Sequence, residues 1–160
     1  MDTLTPHLPG ARFLDLFAGA GGVGLEALSR GAARAVFVER DAAAVAALGS
    51  NIAALGVAEH ARVVRADVER AVAVLAADGE RFELIFLDPP YGADLVEATL
   101  GLLGAGTLTA AGALVVAQHF TKRAPREEAG DLAAFRTRRF GETTLTFFRA
   151  DRGGLARGGG

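Results

Sequence analysis

The segment Asp15-Leu16-Phe17-Ala18-Gly19-Ala20-Gly21-Gly22-Val23-Gly24 stands where the apolar run Phe13 to Phe17 gives way to a helical pattern over Val23 to Ser29. Strand, glycine-rich loop and helix in this order let the backbone turn tightly and pass close to a ligand without side-chain obstruction. The helix start also offers amide donors that the helix itself does not use. Gly19, Gly21 and Gly24 satisfy G-x-G-x-x-G, and Glu39 follows Gly19 by 20 residues at the end of the next apolar run. An acid placed there suits the hydroxyls of a ribose. On this pattern alone, a nicotinamide dinucleotide and S-adenosylmethionine both fit.

Outward from the loop the chain keeps alternating. Ala35 to Glu39 reads as a strand, Ala42 to Leu55 as a helix ended by Gly56, Ala61 to Arg65 as a strand and Val68 to Ala77 as a helix. Phe82 to Leu87 is a further strand, Ala93 to Leu103 a helix and Ala113 to Ala117 a fifth strand. Near-continuous apolar strands separated by helical segments predict βαβ units and a parallel sheet covered on both faces, hence an α/β fold of Rossmann-like type. Residues 133–149 break the pattern with two strand-like runs joined at Gly141-Glu142, which predicts a closing antiparallel hairpin. One domain is expected over residues 1–150. A disordered glycine-rich tail is expected over 151–160, because that segment has no apolar periodicity to offset the entropy cost of ordering it.

Composition narrows the classes. The 160 residues are 51% hydrophobic and 22% charged, with no cysteine, so disulfides, thiolate nucleophiles and cysteine-ligated metals are excluded and only three histidines remain for any metal. No metal site is expected. No apolar run approaches the roughly 18 residues of a membrane span, and the first ten residues do not read as a signal peptide. The expected location is the cytoplasm, with no membrane partner. The net charge of −2 conceals an asymmetry: residues 1–118 carry 8 basic and 14 acidic side chains, whereas residues 119–160 carry 9 and 5. Lys122, Arg123 and Arg126, with Arg136, Arg138 and Arg139, are positioned either to meet phosphates or to form a solvated arginine-rich face.

Two acids favour S-adenosylmethionine over a dinucleotide. Asp15, beside the glycine loop, would repel a pyrophosphate but accept from the amino group of a methionine moiety. Asp67, just past the third strand, suits an adenine amine and also suits the cap of the following helix. Asp88-Pro89-Pro90-Tyr91 then follows the fourth strand directly. Its two prolines fix an extended backbone and remove two N–H donors, leaving carbonyl oxygens facing the carboxyl end of the sheet. An exocyclic amine is a poor nucleophile, since its lone pair is delocalised into the ring. Acceptors must hold its hydrogens and aim the lone pair, and the Asp88 carboxylate and Pro89 carbonyl suit that task. Tyr91 can stack on a base taken out of its surroundings.

Together, DLFAGAGGVGLEALSRGA, FVERD, RADV, LDPPY, ALVVAQHF and FGETTLTFF resemble the bacterial 16S ribosomal RNA guanine-N2 methyltransferases over residues 12–149. The resemblance implies a seven-stranded methyltransferase fold, S-adenosylmethionine as donor with S-adenosylhomocysteine as product, and a guanine of the small subunit as acceptor, in ribosomal RNA or a partly assembled subunit. A monomer is expected. The candidate cofactor residues are Asp15, Phe17, Ala18, Gly19, Gly21, Glu39, Arg40, Asp67 and Val68, with Asp88 at the junction to the catalytic set Asp88, Pro89, Pro90 and Tyr91.

Members of that family usually carry a further N-terminal segment, expected to touch RNA and to cover part of the cofactor site, and this chain is expected to lack it. Gln118 stands where many relatives have an acid after the fifth strand. His7, His60 and His119 are expected to be surface or structural residues, with His119 the one candidate for the site. Glu26 is expected to face outward or to brace the glycine loop, and no serine has the context of a nucleophile elbow. Three alternatives stay open: methyl transfer to another amine, such as a DNA adenine or a protein glutamine; a nicotinamide-dependent oxidoreductase, for which no proton donor is evident; and a cofactor-binding module without activity.

Overall fold

The computed structural model describes residues 2–90 and 93–150. Its strands are β1 (Arg12–Asp15), β2 (Arg34–Val38), β3 (Ala61–Val64), β4 (Phe82–Leu87), β5 (Thr109–Phe120), β6 (Glu128–Ala129), β7 (Leu132–Phe140) and β8 (Thr143–Arg149). The helices are α1 (Gly22–Ser29), α2 (Ala42–Leu55), α3 (Val68–Ala77) and α4 (Ala93–Gly104). All strands join one sheet in the order β3-β2-β1-β4-β5-β8-β7-β6. The neighbours from β3 through β5 pair in parallel, while β8 runs antiparallel to both β5 and β7. Seven strands of four residues or more build the expected architecture, and the two-residue β6 adds an edge too short to leave a periodic signal in the sequence.

The hairpin closes with a twist in order. The last strand, β8, is inserted between β5 and β7, so the apolar TLTFF segment is interior and RTRRF lies outside it. Strand β5 is longer than the apolar core Ala113 to Ala117 suggests, because residues beyond the end of β4 still pair with β8, as Phe120 does with Thr143.

Alternation of side chains across the sheet sorts the core into two layers. Leu14, Val36, Ile85 and Val115 face the layer that contains Val68, Val72, Leu75 and Leu100 of α3 and α4. Phe13, Phe37, Leu84 and Val116 face the layer that contains Leu25, Leu48 and Ile52 of α1 and α2, closed by Leu4 and Leu8 of the N-terminal segment. Each fully buried Leu or Phe contributes about 1.5–3 kcal/mol by leaving water. Arg30 ties that segment down by donating to Asp2 and to Thr5 Oγ1 over 2.9 and 2.7 Å.

The position of the site follows from the strand order. From β1 the chain builds outward through β2 to β3, then returns to place β4 on the other side of β1. The carboxyl ends of β1 and β4 diverge at this switch point, where open α/β sheets form their ligand crevice. The glycine loop and Asp88-Pro89-Pro90 leave the sheet side by side there.

Candidate cofactor and acceptor site

The glycine loop owes its path to backbone geometry that only glycine meets cheaply. Gly19 and Gly21 have φ of +55° and +94°, in the left-handed region. Gly24 has an ordinary φ, but a Cβ there would strike the Phe37 ring, so its role is to let α1 lie close on β2. Backbone bonds from Leu16 to the Phe86 carbonyl (3.1 Å) and from Ala18 to that of Val38 (2.9 Å) strap the loop to its neighbours. Gly21 caps α1 without a side-chain bond, and of the first-turn amides that of Gly24 turns to Asp15.

Beside the loop opens a cleft of about 760 Å³. Of the candidate cofactor residues, Phe17, Gly19, Glu39, Arg40, Asp67, Val68 and Asp88 line it. Asp15, Ala18 and Gly21 do not; all three are buried, Asp15 behind the loop and the other two within it. Glu39 accepts from the amide of Gly19 over 2.8 Å through Oε1 and from that of Asp41 over 2.9 Å through Oε2, so it braces the glycine loop against the start of α2. Asp67 caps α3, its Oδ1 accepting from Arg70 N–H over 2.9 Å. The opposite wall is one face of α4: Leu95, Ala98, Thr99 and Leu102, at helical i, i+3, i+4, i+7 spacing. That spacing was readable in the sequence, but nothing in the sequence said which layer it would face.

Asp15 is nearly inaccessible, and its Oδ1 has no hydrogen-bond partner. Burial pushes its carboxyl up to about 7, against the pull of the Phe17 and Gly24 amides and with further upward pressure from Asp88 and Glu39. A buried, unsatisfied acceptor behind a ligand loop is costly unless a ligand donor completes it. With the glycine cradle and the carboxylates of Glu39 and Asp67 in the cleft, this set of donors and acceptors fits a nucleoside carrying a cationic amine.

A second cavity, of about 320 Å³, adjoins the first. Asp88 and Pro90 line both. The Asp88 carboxylate therefore stands on the wall between them, its Oδ2 accepting from Gln118 Nε2 over 3.1 Å, and partial burial raises its pKa. Pro89 is buried and borders the second cavity together with Gln118, His119, Phe120, Arg123 and Thr143. His119 is held within the protein, its Nδ1 2.8 Å from the Phe120 carbonyl and its Nε2 2.7 Å from Thr146 Oγ1. Tyr91 lies outside the described residues, as does the 151–160 tail. Glu26 pairs with Arg30 on the outer face of α1, away from the cleft. Among the described residues, no group of His, Asp and Glu could hold a metal ion, and no helix is long and apolar enough to cross a membrane.

A family model described as conserved hypothetical protein 95 matches residues 1–149. The chain belongs to this family, that of ribosomal RNA small subunit methyltransferase D. A relative in Bacillus subtilis (strain 168), YlbH, named as a candidate rRNA methyltransferase, is 39% identical over 144 residues, 90% of this chain and 78% of YlbH. The family's Escherichia coli (strain K12) protein of that name is 44% identical over 100 residues, 62% of this chain and 48% of its own length. The matched stretch thus spans about half of that relative. A solved Escherichia coli structure, yhhF, named as a candidate methyltransferase, superposes with a TM-score of 0.82 at 32% identity over 94% of this chain and 82% of that one. The family's fold, and the fold seen here, is that of S-adenosylmethionine-dependent methyltransferases.

Proposed function

We propose that this chain transfers the methyl group of S-adenosylmethionine to the N2 amine of a guanine in 16S ribosomal RNA, releasing S-adenosylhomocysteine. The observation that carries the reading is Asp88 on the shared wall of two adjoining cavities, followed directly by the buried Pro89. The names of the relatives support ribosomal RNA as the substrate class. Naked RNA and a partly assembled small subunit are both accommodated by the proposal, as are a cytoplasmic monomer and a single unit over residues 1–150.

The first cleft holds the cofactor: Glu39 for the ribose, Asp67 for the adenine amine, the loop amides for the carboxylate end and Asp15 behind them for the ammonium. The cofactor supplies a methyl group already activated on a sulfonium. The protein's task is then positioning. The Asp88 carboxylate and the Pro89 carbonyl accept the two amine hydrogens, which turns the nitrogen lone pair toward the first cleft. As the N–C bond forms the amine loses a proton, and Asp88 is placed to take it. Gln118 occupies Oδ2, leaving Oδ1 for the acceptor. Tyr91 follows in sequence as the stacking candidate.

The test is transfer of labelled methyl to small subunits and to naked RNA that lack the modification, with Asp88→Asn alongside. Label that maps to one guanine and depends on Asp88 supports the assignment. Label on an adenine or on protein redirects it to another amine. Tight cofactor binding without any transfer overturns it.

A further inference from the structure

We infer that the sheet edge beside the second cavity is a docking track for the single-stranded RNA flanking the acceptor base, with Phe120 and Phe140 as stacking platforms and Arg123 and Arg138 as phosphate contacts. This rests on the function proposed above.

The large aromatic rings of the central sheet are inside: Phe13, Phe37, Phe82 and Phe148 are fully buried. Phe120 and Phe140 instead stand 61% and 53% exposed. Their placement is linked, since Phe120 pairs with Thr143 across β5 and β8, and Thr143 pairs with Phe140 across β8 and β7. Directly opposed residues share a face, so the two rings flank Thr143 on one side of the sheet, their backbones about 9–10 Å apart by strand spacing. Along the same face the next row is Gln118, Leu145 and Arg138. Gln118 holds Asp88, so the row runs from the acceptor carboxylate out to the hairpin.

Charge selects the occupant. The Arg138 guanidinium lies 5.3 Å from the Phe140 ring centroid, and Arg123 lines the second cavity together with Phe120. Neither arginine enters the ion pairs found among the described residues, which involve Arg12, Arg30, Arg34, Arg62 and Arg126, and the Arg138 Nη1 donates to the neutral Thr3 Oγ1 over 3.0 Å. Exposed rings alternating with guanidinium groups on a sheet are how proteins hold unpaired nucleotides: bases stack on the rings and phosphates meet the charges. Because Phe120 and Arg123 are themselves cavity wall, whatever occupies the track is continuous with the group that enters beside Asp88.

The test is fluorescence anisotropy of a short fluorescein-labelled single-stranded RNA binding to the full chain, across a salt series, for Phe120→Ala, Phe140→Ala, Arg123→Gln and Arg138→Gln. Each alanine variant should lower affinity roughly 5- to 100-fold, with Phe120→Trp restoring it. Each glutamine variant should reduce the slope of log affinity against log salt by about 0.7–1. Binding of S-adenosylhomocysteine by calorimetry should stay unchanged, since none of these residues lines the first cleft. The track is wrong if wild type does not bind this RNA, prefers the duplex form, or binds it as well after the ring and arginine substitutions. Methyl transfer with RNA binding indifferent to these variants would sink the track and leave the function standing. Variant-sensitive binding without transfer would do the reverse.

Discussion

Gln118 Nε2 donates to Asp88 Oδ2 over 3.1 Å, joining the end of β5 to the turn that follows β4. This bond fixes how the carboxylate presents itself to the second cavity. Gln118→Ala should lower kcat about 10-fold, the worth of one positioning hydrogen bond to a charged group, with little change in KM. Gln118→Glu should place a second negative charge beside Asp88, raise its pKa further and move the acid limb of the kcat–pH profile upward. Steady-state rates across pH check both. A loss confined to KM would assign Gln118 to substrate binding instead.

Asp15 makes stability depend on pH. Its folded-state pKa of about 7 lies above the ordinary 3.8, so between those values the native chain binds a proton that the unfolded chain has released. The stability from this group is full below about pH 4 and is lost as pH rises to about 7, a loss of at most about 4 kcal/mol. Asp15→Asn should flatten that part of a urea-melt series, and the variant should be more stable than wild type at pH 8.

The same group links the cofactor to pH. A ligand ammonium completing Asp15 favours the ionised form, so binding near neutrality releases a proton. Affinity for S-adenosylhomocysteine should rise with pH through about 7 and then level off, whereas Asp15→Asn should bind more weakly with no such rise. Calorimetry in buffers of different ionisation enthalpy counts the proton directly. Equal apparent enthalpies in all buffers would contradict the link.

Gly24 is a packing glycine. Gly24→Ala drives a methyl into the Phe37 ring and should cost about 1–3 kcal/mol. Paired with Phe37→Leu, which vacates that space, its cost should be less than the sum of the two single changes, as contacting residues couple. Denaturant melts of the four chains of this cycle measure the coupling.

What the sequence made legible was local. The strand-loop-helix at Asp15 to Gly24, the caps Asp67 and Gly56, and the turn after Leu87 are each written in consecutive residues, and they appear where expected within a residue or two. The contacts that complete the site join distant parts of the chain. Gln118 reaches Asp88 across 30 positions, and Phe120 and Phe140 come to flank Thr143 on one face only through the insertion of β8 between β5 and β7. An order in which the last strand lies inside the sheet leaves no spacing signal, and the two residues of β6 are too few to show a period. Glu39 read as a ribose acceptor, and nothing in its context announced that both its oxygens would also hold backbone amides of Gly19 and Asp41.

Methyl transfer as proposed turns on the Asp88 carboxylate, and Asp88→Asn is the direct test. The substitution keeps size and shape but removes the charge and one acceptor. Affinity for S-adenosylhomocysteine should stay unchanged within about twofold, while methyl transfer to small-subunit RNA should fall roughly 100- to 1,000-fold, the scale on which acid–base and electrostatic groups act. Transfer within a few fold of wild type would contradict this role of Asp88 and place the acceptor elsewhere.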